Sequence, residues 1–489
     1  MKNDLICGVL APLILMASGV CAASSFAPKT YTPMDVEVVD EGPASQSVAP
    51  PPGHAWYTFA NHTHTTYSDG YATVGERIQA AAADGADAVS ILDHRTQDGC
   101  SDPGFTTIDG CVPMCGEEWG WDGHLGMLNM QVGDPMVGWS VELAIPEALS
   151  RGATIVVHHP KTGGGDPWPY EDIHPGIRGM EVWSTLTYAF SGSVEATAWW
   201  NDFLVKGRML VGIGGSDMHV LGNNLSPCNY VLATSAEPGA LQQGIEAGRM
   251  TISADNVAAR CFVWCDADND GTFETPMGAT VPVTESRTLL FRIEVYSGQG
   301  RALKIIKKTG LVTTLTIGEG SPWRVDLAAT VGPNTKDYLR AEIPDPGDVL
   351  NPMDCITDPI YVNYTPGDAD GDGLSDAFEL QIGTDIYNAD TDGDGVSDAF
   401  EVGYDGNPND YNPYDPIDNP AGTDLDALSN DTDGDGVRDG DELTFGTNPL
   451  NPSSKPALPI ARYPLLLLLI LCLAAVRVLL RPKDSAPQE

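Results

Sequence analysis

His62-Thr63-His64-Thr65-Thr66-Tyr67-Ser68-Asp69-Gly70 is the stretch on which the reading of this chain turns. Side chains alternate along an extended strand, so His62 and His64 share one face, and Asp69 follows five positions on. Only nine histidines occur in 489 residues, and the others keep similar company. His94, His159 and His219 each follow an apolar run that reads as a strand, namely Ala88 to Leu92, Ala153 to Val157 and Met209 to Ile213. Glu117, Glu118 and His124 lie in the loop-rich stretch between. A single histidine at a strand end is more often a hydrogen-bonding structural residue than a ligand. Recurrence beside carboxylates reverses that reading, because neutral imidazoles with acids suit zinc, iron or manganese, and a shared carboxylate can bridge two ions.

The surrounding grammar is α/β. Thr73-Val74-Gly75-Glu76 is a capping-box pattern that opens a helix to about Asp84, with Gly85 as its stop. Pro146 to Ser150 and Ser193 to Lys206 read as further helices, broken by Gly152 and Gly207. Alternating strands and helices imply a parallel sheet, open or closed into a barrel, with ligands at the C-terminal strand ends. From Val257 the pattern changes to short alternating runs such as Thr288 to Tyr296 and Ala302 to Ile306, a small all-β domain expected to end near Tyr364. Residues 24–53, closing on Pro50-Pro51-Pro52-Gly53, read as a Pro-rich extended linker leading into the first domain.

The length implies several domains, and 26 Lys+Arg against 68 Asp+Glu give a net charge of -42, which argues against nucleic acid as a partner and for cations. Residues 365–455 alone hold 23 acidic and 2 basic side chains. Within them Asp368, Asp370, Asp372, Asp376 and Glu379 occupy positions 1, 3, 5, 9 and 12 of a loop with Gly373 at position 6. The spacing returns at Asp390, Asp392, Asp394, Asp398 and Glu401, and again at Asp431, Asp433, Asp435, Asp439 and Glu442. Such oxygen-donor loops meet the demands of calcium. A fourth opening, Asp266, Asp268, Asp270 and Gly271, has Met277 where the closing acid would stand, and is a weaker candidate.

The two ends carry targeting signals. Met1-Lys2, the apolar stretch Leu5 to Val20 and Ala22-Ala23 read as a signal peptide over residues 1–23, with lipid modification of Cys21 as the rival reading. Residues 463–480, about eighteen mostly apolar positions, read as a transmembrane helix, and the basic tail 481–489 places the bulk of the chain outside the cytoplasm. The expected localisation is therefore the cell envelope, exported and membrane-anchored, with a cleaved sorting signal as the alternative. Of the cysteines outside these segments, Cys100 with Cys111 or Cys115 is a candidate loop staple.

Taken together, His62 to Gly70, Leu92-Asp93-His94, His159-Pro160 and Gly215-Ser216-Asp217-Met218-His219 resemble the successive motifs of the PHP (polymerase and histidinol phosphatase) superfamily, over residues 54–256. The stretch Leu241 to Arg249, with the β segment ending Asp358 to Val362, looks like its carbaryl-hydrolase-like (CehA/McbA) branch. Gly383-Thr384-Asp385 and Gly446-Thr447-Asn448-Pro449 beside the acidic loops resemble thrombospondin type 3 repeats. The first resemblance implies a distorted (β/α)7 barrel with two or three divalent transition metal ions, zinc, manganese or iron. It implies one ion on His62, His64, Glu118 and Asp217, a second sharing Glu118 and held by His124 and His159, and a third on Asp69, His94 and His219. Glu117 stands as an alternative to Glu118, and His158 as a competitor of His159. Arg95 follows the Asp93-His94 pair where the family often has Asn or Asp, which leaves the local substrate contacts open.

The expected architecture is multidomain: the barrel at 54–256, a β domain at 257–364, calcium-binding repeats at 365–455 and the membrane helix. Clustered cations acidify water and polarise a scissile oxygen, so the expected activity is hydrolysis of a small-molecule phosphoester or a carbamate or ester. Catalytic roles fall to Asp93, His94, Glu118 and Asp217, while Lys161 and Arg178 are candidates to hold an anionic substrate group. Trp119, Trp121, Trp168 and Trp183 flank the motifs as stacking surfaces or core. The competing expectation is a calcium-dependent surface adhesin or scaffold whose PHP-like domain binds without catalysis.

Overall fold

The computed structural model describes residues 26–121, 123–161, 168–170, 172–184, 190–222, 225–345, 353–412 and 423–456. Two compact units divide them: Lys29–Glu379, and the segment before Lys29 together with the chain from Leu380 on.

The larger unit opens with β1 (Asp35–Pro43), β2 (Ala55–Thr63), α1 (Val74–Ala83), β3 (Ala88–Ile91), β4 (Val112–Trp119) and β5 (His124–Leu128). Then come α2 (Val141–Ser150), β6 (Thr154–His158), β7 (Gly179–Ser184), α3 (Phe190–Lys206), β8 (Val211–Gly215), β9 (Cys228–Ala233), α4 (Pro238–Glu246) and β10 (Met250–Ser253). Strands β9-β2-β3-β4-β5-β6-β7-β8 are neighbours in that order. β2, β3 and β4 run parallel, as do β6, β7 and β8, whereas β5 is antiparallel to both its neighbours. The sheet curls, because the run after β8 hydrogen-bonds back onto β2, with Ser216 N to Asn61 O at 2.9 Å and His64 N to Met218 O at 3.0 Å.

Helices are fewer here than strict (β/α)7 alternation expects. A 3-10 turn, Asp98–Ser101, lies between β3 and β4, and β4 and β5 form a hairpin. Gly120 and Gly123 allow that tight turn: both have positive φ, and a β-carbon at Gly120 would collide with Gly123 O. α1 begins where the capping box places it, with Glu76 Oε2 accepting from Thr73 N at 2.9 Å and Val74, Ile78 and Ala81 buried. α2 starts at Val141, earlier than Pro146 suggested; the helix carries the proline inside because Ala144, Ile145 and Ala148 bury an apolar stripe. A disulfide joins Cys100 to Cys115, Cα atoms 5.5 Å apart, leaving Cys111 as a buried thiol.

The β segment comprises β11 (Arg260–Asp266), β12 (Thr275–Pro276), β13 (Thr280–Val281), β14 (Arg287–Tyr296), β15 (Ala302–Lys307), β16 (Gly310–Thr316), β17 (Trp323–Val331), β18 (Asp337–Pro344), β19 (Met353–Thr357) and β20 (Ile360–Val362). One sheet has the order β1-β17-β14-β11-β12. Residues 35–43, expected in a linker, are thus a paired edge strand of this sheet. Period-two burial of Leu289, Phe291, Ile293 and Val295 against Trp323, Val325, Leu327 and Ala329 forms its core face. β19 pairs with β10, so this segment extends the first sheet rather than standing apart from it.

Three short helices, α5 (Asp376–Ile382), α6 (Asp398–Val402) and α7 (Asp439–Phe445), each begin at the ninth residue of an acidic loop. The expected membrane anchor is corrected here. No helix among the described residues is long and apolar enough to cross a membrane. The longest of them, α3 with 17 residues, would span about 26 Å, short of a hydrocarbon core of about 30 Å. The leader at 1–23, the apolar run 463–480 and the tail 481–489 lie outside the described residues.

Candidate metal centre

Six strands deliver the expected ligands to one end of the curled sheet. A register shift between Ala60 and Thr63 puts His62 at φ +64°, so a bulge rather than plain alternation turns both His62 and His64 inward, their rings 5.1 Å apart. His94 follows β3, His159 follows β6, and Asp217 and His219 follow β8. Because β5 runs antiparallel, its first residue, His124, arrives at the same end. His159 and Asp217 also have positive φ, at 28° and 46°, a backbone cost that recurs at functional sites.

Glu118 is the hub. Its Oε1 lies 3.0 Å from His62 Nε2, 3.1 Å from His124 Nδ1, 3.0 Å from His158 Nδ1 and 3.1 Å from His159 Nε2. Its Oε2 lies 3.3 Å from His64 Nε2 and 3.1 Å from His94 Nδ1. Asp217 Oδ1 sits 3.1 Å from His64 Nε2 and 3.4 Å from His62 Nε2. At the mouth, Asp69 reaches His219 at 3.2 Å and His94 at 3.4 Å while remaining 55% exposed. His62, His64 and Glu118 are wholly buried, so the site deepens from a solvated rim to a dry floor.

Electrostatics follow from this crowding. Burial opposes charge on His62, yet Glu118, Glu181 and Asp217 outweigh it and push its pKa well above the usual value. Burial likewise would raise Glu118, but His62 and hydrogen bonds from His124, His158 and His159 hold its pKa well below the carboxylate range. His94 is pushed down to about 4, first by burial and, among its neighbours, by repulsion from His64 and His124. Glu117 projects away from the cluster, and burial pushes it up to about 7 despite Arg151 and Arg95. Asp93 is saturated by polar neighbours: Oδ1 accepts from Thr65 N at 2.7 Å and Ser68 Oγ at 2.7 Å, Oδ2 from Thr65 Oγ1 at 2.6 Å.

The residues fit divalent ions. His62 Nε2, both ring nitrogens of His64, His94 Nδ1, His158 Nε2, His159 Nδ1 and Glu118 Oε2 are buried without a hydrogen-bond partner. Several nonetheless stand near carboxylate oxygens, close in distance but misaligned for hydrogen bonding, as donors aimed at a common point would be. Grouped donors include His64, Asp69, His94 and His219; His62, His64 and Glu118; and His94, Glu118 and His124.

Two residues of the cluster stand outside the expected ligand set. His158, a competitor in the sequence, stacks on His62 at 3.7 Å between ring centroids, in space opened by Gly126, where a β-carbon would strike its imidazole. Glu181 was not anticipated, although a lone acid in the apolar run Gly179 to Trp183 demands a buried partner. The expected anion holders each engage a partner of their own. The Lys161 ammonium sits 4.1 Å from the Trp199 ring centroid. Arg178 precedes β7 at the strand end opposite the cluster, donating to Glu246 O at 2.6 Å in a cleft of about 620 Å³. Arg95 instead lies near the mouth, its guanidinium 3.7 Å from the Trp121 ring centroid.

The acidic loops show a different chemistry. In the second, Gly395 N donates to Asp390 Oδ2 at 3.0 Å, and Thr391 N to Asp398 Oδ1 at 2.8 Å. The third repeats this with Gly436 N to Asp431 Oδ2 at 2.8 Å and Thr432 N to Asp439 Oδ1 at 3.0 Å. The first differs slightly, with Gly371 N to Asp368 Oδ1 at 2.7 Å and Ala369 N to Asp376 Oδ1 at 2.8 Å. Glu401 and Glu442 close their loops fully buried, both carboxylate oxygens without a hydrogen-bond partner. Burial, then Asp392, Asp394 and Asp398, pushes Glu401 up to about 11.

No curated protein matches the chain. A solved two-domain protein from Bacteroides vulgatus, described as "containing predicted PHP-like metal-dependent phosphoesterase", is similar at 15% identity and TM-score 0.36, covering 65% of this chain and 98% of its own. An amidohydrolase from Chromobacterium violaceum is similar at 16% identity and TM-score 0.27, covering 34% of this chain and 89% of its own. Residues 368–385, 390–410 and 431–452 match the family model of the bacterial TSP3 repeat, so the acidic segment of this chain is built from such repeats.

Proposed function

We propose that this chain is a metal-dependent hydrolase that uses activated water on a phosphoester, carbamate or ester bond of a small molecule. The observation that carries this reading is the buried Glu118 carboxylate, whose two oxygens face six imidazoles from four separate segments. A binding module has no need of so many desolvated donors around one acid.

His62, His64, Glu118 and Asp217 would hold one ion, Glu118 with His124 and His159 a second, and Asp69, His94 and His219 a third. Such ions supply an acidified water and polarise the scissile oxygen. Asp93, through Thr65 and Ser68, anchors the loop that carries Asp69 and sits beside His94. The exposure gradient orients the substrate: its scissile group enters past Asp69 and His219, while the wholly buried floor excludes water. Calcium in the three acidic loops completes the reading, neutralising clustered acids such as Glu401 and Glu442, which are buried without a hydrogen-bond partner.

Elemental analysis of the purified chain should find transition metal, and p-nitrophenyl phosphate or an aryl carbamate should be turned over with Mn²⁺, Zn²⁺ or Fe²⁺. Absence of turnover across a broad ester panel with all three would defeat the proposal.

A further inference from the structure

The geometry assigns Glu181 as the residue that positions the floor of the metal centre, holding His62 and the His159 backbone in place without itself being a ligand. The inference rests on the metal-centre reading above. Glu181 lies in β7, 1% exposed, in a run whose other members are apolar or small. Its Oε1 is 2.7 Å from His62 Nδ1, the ring nitrogen opposite the Nε2 that faces Glu118 and Asp217. Its Oε2 accepts from His159 N at 2.8 Å. One carboxylate therefore spans two ligand-bearing segments, one from each of the first two proposed ion positions.

The physical consequence concerns tautomer and aim. An acceptor at Nδ1 fixes the proton there and leaves the Nε2 lone pair free for a cation, and it raises the basicity of the ring. The bond to His159 N holds a residue at φ +28°, a conformation the chain would otherwise relax. The surroundings crowd the carboxylate. A β-carbon at Gly215 would collide with Glu181 Oε1, and His158 Nε2 closes the remaining side 3.7 Å from that oxygen. Glu181 is thus wedged between β8 and two imidazoles, where a merely space-filling residue would not carry a charge.

The test compares the full chain with Glu181→Gln and Glu181→Asp. Transition-metal affinity is measured by competition with a chromophoric chelator, and the visible spectrum is recorded with Co²⁺. Glu181→Gln should fold, with unfolding of the metal-free form little changed, yet lose metal affinity about 10- to 100-fold and shift the Co²⁺ bands. Glu181→Asp, which keeps the charge but retracts it, should restore part of that affinity. Affinity and Co²⁺ spectrum unchanged in both variants would overturn the inference while leaving the metal centre standing. Failure of both variants to fold would also overturn it, marking Glu181 as structural. A wild-type chain that binds no transition metal would remove the metal centre and this inference together.

Discussion

The metal centre and the acidic repeats both gather charge, but they gather it in opposite ways. In the repeats every donor of a loop comes from twelve consecutive residues, all oxygen, closed by a buried acid such as Glu401. In the centre the donors span from His62 to His219, and most are imidazole nitrogens, with Asp69, Glu118 and Asp217 supplying the carboxylates. Hard oxygen cages suit calcium, whereas imidazole with carboxylate suits zinc, manganese or iron. The difference teaches that a local loop can specify its ion from spacing alone, while a site assembled from distant strands depends on the fold to specify anything.

Substituting His62 and His64 together with Ala should separate the two regions most sharply. Transition metal and hydrolysis should fall to background while calcium binding, read by titration calorimetry, stays at the wild-type level. Parallel loss of calcium would erase the distinction drawn between them.

Next in size is the staple beneath the centre. Cys115→Ser opens the Cys100–Cys115 loop, whose ends are 15 residues apart, and should lower the stability of the larger unit by about 3 kcal/mol. Denaturant unfolding should report that loss without a change in calcium affinity.

Glu401→Gln addresses the repeats alone. It removes the acid that closes the second loop and should weaken calcium there at least about tenfold, or about 1.4 kcal/mol, with hydrolysis unaffected. Equal calcium affinity in the variant would show that the buried acid does not ligate.

The pH dependence of the cation-free repeats is a smaller but directional effect. Burial first, and neighbouring acids after it, push Asp392 and Asp439 up to about 7 in the fold, from an ordinary value of 3.8. A carboxyl with a raised folded pKa contributes stability that is complete below its unfolded value and lost as pH rises through the folded one. Cation-free repeats should therefore melt at falling temperature between about pH 4 and pH 7, and the rise in Tm on adding calcium should grow over the same window. A calcium-induced shift that is flat with pH would contradict the carboxylate cage. The smallest effect expected is Thr73→Ala, which removes the α1 capping box and should cost about 1 kcal/mol by denaturant unfolding.

What could be read without coordinates was whatever is written locally. The capping box of α1, the three acidic loops, and the clustering of histidines at strand ends follow from spacing, because period, turn chemistry and loop length act over a few residues. The choice between Glu117 and Glu118 lay outside that range. It depended on which face of β4 turns toward the cluster, and the hairpin through Gly120 and Gly123 settled it by pairing Glu118 with Gly126. The linker that became β1 was illegible for a related reason: its partner β17 lies almost three hundred residues away, and an edge strand needs little apolar character of its own.

The sequence by itself determined the donor types, and with them the classes of cation this protein is suited to hold, since imidazole and carboxylate carry their preferences wherever they are placed. Only the tertiary structure decided that β5 runs backward to bring His124 to the cluster, that a bulge turns His62 inward, and that Glu181 lies beneath it. Those outcomes hang on register and strand direction, which are settled by packing among elements far apart in the chain rather than by any one segment.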